Sequence, residues 1–172
     1  GMAVFKDGSL VGELNAIETL SFMCISNDVK GFQISVPNPN AENEYIDVYL
    51  TPSKKSKIKV SLVNGSPFVT IDCKFSGKIL SMDKNANYLD CKALADVSTS
   101  CDKYLEYVFS EYLYKTSKVF KSDISGIGKY AKKLFITSDS FESFNWCDSF
   151  SDCFFDVSVK SNVKSASLIS NP

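Results

Sequence analysis

The sequence predicts an α+β fold: a mostly antiparallel or mixed sheet, a long helix and shorter helices packed against it, and a final strand returning to the sheet. Two observations carry this. Apolar residues alternate with a period of two through most of the first eighty positions, and again between Phe155 and Val163. Between those stretches, from about Tyr88 to Phe135, they recur every three or four residues. Strands, then helices, then one more strand is the order expected of a single α+β domain over residues 2–172.

The first element is a hairpin. Val4-Phe5-Lys6 and Ser9-Leu10-Val11 flank Asp7-Gly8, which suits a type I′ turn because both central residues need positive φ. Asn15 then reads as an N-cap, with Glu18 as its capping-box partner. Ile17, Leu20 and Cys24 form one apolar stripe, so a short helix is expected over Ala16–Ile25.

Four strands follow. Gly31–Val36 is stopped by Pro37 and Pro39. Tyr45–Thr51 alternates Ile46, Val48 and Leu50 against Tyr45, Asp47 and Tyr49. Lys57–Val63 and Phe68–Leu80 flank Asn64-Gly65, a strong hairpin signal. In the latter strand Val69, Ile71, Cys73 and Phe75 share a core face, while Thr70, Asp72 and Lys74 face away.

The helical stretch runs from about Tyr88 to Phe120. Leu94, Val97, Cys101, Leu105, Val108, Tyr112 and Val119 form its stripe, and weak propensity at Val97-Ser98-Thr99-Ser100 allows a break. A second helix is expected over Ile124–Phe135. A third short one is expected from Asp139, at capping-box spacing from Glu142. Phe155, Val157, Val159 and Val163 then alternate with Asp156, Ser158, Lys160 and Lys164 in the closing strand.

Composition excludes several kinds of chemistry. The chain has 172 residues, 44% hydrophobic and 13% aromatic, enough for a sizeable core. Its formal charge is −1, so no overall basic field attracts nucleic acid. It contains neither His nor Arg. Serine triads, Cys–His pairs and His-bearing zinc sites are therefore ruled out, as are bidentate guanidinium grips on phosphate or carboxylate. The six cysteines include no C-x-x-C pair. Most read as small buried hydrophobes, with a Cys147–Cys153 disulfide left open. The sequence has no secretory apolar region and no long apolar run, so these residues cross no membrane as a helix; Gly1 before Met2 reads as a cloning remnant. No catalytic constellation, cofactor motif or metal-ligand pattern emerges.

Five features merit attention as interaction sites. Asp123-Ile124-Ser125-Gly126-Ile127-Gly128 lacks the preceding strand and the basic residue of a phosphate loop. It reads instead as a helix junction capped by Asp123, with glycines allowing close approach. Lys54-Lys55-Ser56-Lys57-Ile58-Lys59 allows contact with anionic lipid but reads first as charge guarding a strand edge; Lys129, Lys132 and Lys133 pose the same choice and take the same solvated reading. Trp146, the only tryptophan, clusters with Phe141, Phe144 and Phe150. Asn64-Gly65-Ser66 matches a glycosylation sequon, but the hairpin accounts for it.

The order of these motifs resembles the C-terminal domain of the Ger(x)C family, the C subunits of bacterial spore germinant receptors. The resemblance begins at Val4-Phe5, Leu10-Val11-Gly12-Glu13-Leu14 and Asn15 with its Glu-bearing helix. It continues through Lys57-Ile58-Lys59-Val60 and Gly65-Ser66-Pro67-Phe68-Val69-Thr70-Ile71. After the long helix comes Lys121-Ser122-Asp123-Ile124-Ser125-Gly126-Ile127-Gly128, then Trp146 and Phe150, then Val157-Ser158-Val159. The chain departs from the family at Lys132–Ser138, where basic and Pro-Trp residues are usual, and in the closing strand, which lacks the Arg pair and Gly often seen there. The resemblance implies a non-enzymatic subunit that acts with A and B subunits in receptor assembly and nutrient signalling. It also implies a parent lipoprotein at the outer face of the spore inner membrane, held by a lipidated N-terminal region these residues do not include. Glu13, Asp123, Gly128 and Trp146 are the candidate partner-binding residues. The alternative is a nutrient-binding module with a crevice lined by Tyr and Phe.

Overall fold

The computed structural model describes residues 1–39, 41–81 and 91–164. The fold is α+β, with a two-stranded sheet β1–β2 and a mixed four-stranded sheet in the order β3–β4–β5–β6. The chain groups into two compact units, each assembled from three chain segments.

The first unit comprises Gly1–Asp28, Ser56–Cys73 and Glu106–Ser158. It opens with β1 (Met2–Lys6) and β2 (Ser9–Leu14), antiparallel and joined as expected through Asp7 and Gly8 at φ 50° and 80°. Helix α1 (Ala16–Ser26) carries the complete capping box: Glu18 N donates to Asn15 Oδ1 at 2.9 Å and Asn15 N donates to Glu18 Oε2 at 2.8 Å. Its fully buried face is Ser21, Cys24 and Ile25, whereas Ile17 and Leu20 of the expected stripe are only half-buried. Asn27 ends the helix in the left-handed conformation, and its Oδ1 accepts from Ser56 N at 2.6 Å.

The hairpin arms of β4 (Tyr45–Val63) and β5 (Ser66–Ser81) meet at Asn64 and Gly65, both at positive φ. Ile58, Val60, Val69, Ile71 and Cys73 line the unit's core. β4 is one strand of nineteen residues where sequence periodicity indicates two.

The second unit comprises Val29–Lys55, Lys74–Leu105 and the described chain from Val159 onward. β3 (Phe32–Pro37) pairs antiparallel with Tyr45–Leu50 of β4. Its last partner is Leu50, so the flank of β4 that β3 occupies is vacated before Pro52. A proline there breaks no β3–β4 bond, which explains why the strand runs on. Ile46, Val48 and Leu50 are buried, as alternation required. Phe32 and Phe75 pack edge-to-face at 5.4 Å.

Helix α2 (Cys91–Tyr114) is unbroken; the expected start at Tyr88 lies outside the described residues. The weak stretch is helical all the same, with Ser98 Oγ and Thr99 Oγ1 donating to Leu94 O and Ala95 O of the preceding turn. Ser98 Oγ also accepts from Val163 N at 3.1 Å, and Asp102 Oδ1 accepts from Ser161 N at 2.6 Å. Two alternate amides of β6 (Phe154–Lys164) thus end on α2 side chains.

Four further expectations need correction, all in the first unit. A π-helical turn over Lys115–Val119 continues α2 and shifts its register by one residue. Phe120 therefore turns inward, and Val119 is left 70% exposed. The helix expected from Ile124 begins only at α3 (Gly128–Ala131) and passes into a 3₁₀ turn over Lys132–Leu134. The next helix, α4 (Ser138–Phe144), is capped by Thr137 and not by Asp139: Thr137 Oγ1 accepts from Ser140 N at 3.2 Å. The aromatic cluster divides in two. Trp146, at the start of α5 (Trp146–Ser149), packs on Phe150 at 5.7 Å, while Phe141 and Phe144 gather on Phe135.

Candidate functional site

Asp123 follows the π turn at a bend held by Lys121, whose φ is 47°, and Gly126, whose φ is 67°. The bend turns backbone amides toward the Asp123 carboxylate. Ile127 N donates to Oδ1 at 2.8 Å and Gly128 N donates to Oδ2 at 2.6 Å. These are orphan donors at the start of α3, and a carboxylate there also meets the positive end of the helix. The capping role read from sequence is present, although the residue adjoining the helix is Ile127.

The same Oδ2 accepts from Trp146 Nε1 at 2.9 Å, so one carboxylate ties together two stretches 23 residues apart. Gly128 makes this approach feasible. A Cβ there would stand 2.6 Å from Trp146 Nε1 and 2.7 Å from Cδ1. Its φ is not positive, so the requirement is steric. Trp146 is 7% exposed. Beneath the bend, Tyr112 Oη and Ser125 Oγ share a buried hydrogen bond of 2.6 Å, and burial holds the phenol above its ordinary pKa.

Three of the four candidate residues thus converge: Asp123, Gly128 and Trp146. Glu13 is not among them. Its side chain is exposed on β2, and its carbonyl accepts from Lys115 Nζ at 3.1 Å. Lys115 is the residue that sequence reading missed. Its ammonium also meets both oxygens of Glu18 at 2.8 Å and lies 5.4 Å from the Phe120 ring centroid. Burial raises the Glu18 pKa, but hydrogen bonds from Lys115 and Asn15 outweigh it and leave the carboxyl below its ordinary value. Nothing in the periodicity marks Lys115, because its reach depends on the π turn.

The cluster holds shape and offers little for bond-making. The Asp123 carboxylate is occupied by three donors. The nearby Cys153 thiol is pushed up to about 12, first by burial and then by Asp123. Burial likewise pushes Cys101 up to about 12 and raises Cys24 and Cys73, which disfavours the nucleophilic thiolate. Cys147 and Cys153 are both free, so the disulfide left open by sequence does not form. Among the described residues, no group of three or more Cys, Asp or Glu is placed to hold a metal ion, and no helix is long and apolar enough to cross a membrane.

In the second unit, a cavity of about 600 Å³ is lined by residues of α2 and β6 from Cys91 to Asp102 and from Ser161 to Lys164. Its lining includes no Tyr or Phe, and Ser98 and Asp102 already receive the β6 amides.

A solved structure described as "Crystal Structure of the GerBC protein" resembles this fold with a TM-score of 0.73 at 20% identity. The match covers 91% of this chain and 48% of that one, so the chain spans about half the length of that protein. No curated protein matches the sequence. The family described as "Spore germination B3/ GerAC like, C-terminal" matches residues 1–167, and the chain belongs to it.

Proposed function

We propose that this chain is a non-catalytic domain of a spore germinant-receptor subunit, acting through protein–protein contacts in receptor assembly and nutrient signalling. The observation that carries this reading is the family match over residues 1–167. The chemistry of the cluster agrees with it, since the Asp123 carboxylate is occupied and the buried thiols are held protonated. The partners are the receptor's A and B subunits. The parent protein is a lipoprotein at the outer face of the spore inner membrane, and residues 2–172 act as one domain.

Within this reading the candidate residues divide by role. Glu13, exposed on β2, is suited to direct contact with a partner. Asp123, Gly128 and Trp146 act by fixing the course of the chain from α3 to α5, and so the shape offered to the partner. Deleting this domain from the parent gene tests the assignment. Spores should lose nutrient-triggered germination, and the A subunit should be depleted from the spore membrane. Unchanged germination on every nutrient, with the A subunit at its normal level, would contradict the reading.

A further inference from the structure

The short stretch after Gly128 combines two properties that periodicity alone does not join. Lys129, Lys132 and Lys133 are all exposed, at spacings that share one helical face. Lys129 and Lys133 hold their ammonium groups 5.4 and 5.3 Å from the centroid of the same ring, Tyr130. Beyond them Phe135 is extended, at φ −107° and ψ 135°, and packs inward on Phe141 and Phe144. The residue after an extended one faces the opposite way, here Ile136. Ile136 is wholly exposed, and Leu134, at the end of the 3₁₀ turn, is 45% exposed. The sequence carries no carboxylate between Asp123 and Asp139, and neither ion pair seen among the described residues involves these three lysines.

We propose that Lys129–Ile136 docks on an anionic lipid bilayer, the lysines meeting headgroups while Leu134 and Ile136 enter the acyl boundary. Charge complementarity selects this occupant. Three exposed cations in a stretch without a carboxylate, beside exposed aliphatic side chains, match the two contributions that bind a protein to an acidic interface. On sequence alone lipid contact is the lesser of two readings of these lysines; the outward Ile136 reverses that order. The contact requires no receptor subunit, so its failure leaves the docking function untouched.

The test is sedimentation of the 172-residue chain with vesicles of phosphatidylcholine alone, or with about one-third phosphatidylglycerol. Binding is expected only to the acidic vesicles and should weaken as salt is raised. Replacing all three lysines by Gln should reduce it on the order of a hundred-fold, from about five-fold per lysine. Ile136→Ser should reduce binding with melting unchanged. Neutralising Lys54, Lys55, Lys57 and Lys59 instead should leave most of it. Equal binding to both vesicles, binding to neither, or loss only with the Lys54–Lys59 variant would overturn the proposal.

Discussion

At the scale of single residues, the Asp123 carboxylate does most to organise the candidate site, because it meets two backbone amides and an indole N–H. Hydrogen bonds to a charged acceptor exceed neutral ones, and truncation strands all three donors. Asp123→Ala is expected to lower stability by about 2–3 kcal/mol. That exceeds the roughly 1 kcal/mol of a simple cap. Urea denaturation measures the loss, and Trp146 fluorescence should shift to the red as the indole gains water. Gly128→Ala probes the same contact from the opposite side. A methyl group 2.6 Å from Trp146 Nε1 must displace the ring, at a cost of about 1–3 kcal/mol. An unchanged denaturation midpoint in that variant would show that the indole moves aside freely. The capping role of Asp123 was legible in the sequence, since an Asp before a Gly-rich helix start has few other uses. Its bond to Trp146 was not, because no local pattern links residues 23 positions apart.

At the scale of elements, side chains seal the ends and edges of the secondary structure. The Asn15–Glu18 box was readable because both partners lie within one turn. Its tie to Lys115 was not readable, since that depends on a π turn nearly a hundred residues later. The tie has a pH signature. The Glu18 pKa is depressed in the fold, so the carboxylate's contribution is complete above the unfolded value and is lost as pH falls through the folded one. Glu18→Gln should therefore flatten the fall in stability from about pH 5 to about pH 3. A curve parallel to that of the parent chain would exclude Glu18 from acid sensitivity. The β6 edge gives a second case. Ser98→Ala removes the acceptor of Val163 N, and should cost about 1 kcal/mol while speeding hydrogen exchange at that amide. Alternation located β6 in advance, but α2 as its partner required the tertiary fold. The merging of two expected strands into β4 has the same origin, because Pro52 is harmless only where β3 has ended.

At the scale of the whole molecule, the fold class and the order of elements followed from periodicity, while the family followed from ordered motifs that no single residue carries. Docking is the central claim, and it concerns the chain as a unit. Retention of receptor subunits on the tagged 172-residue chain tests it most directly, using the soluble part of the A subunit and detergent-solubilised spore membrane. The account predicts stoichiometric, salt-resistant retention, weakened by Gly128→Ala. A folded chain that retains no receptor subunit would contradict it.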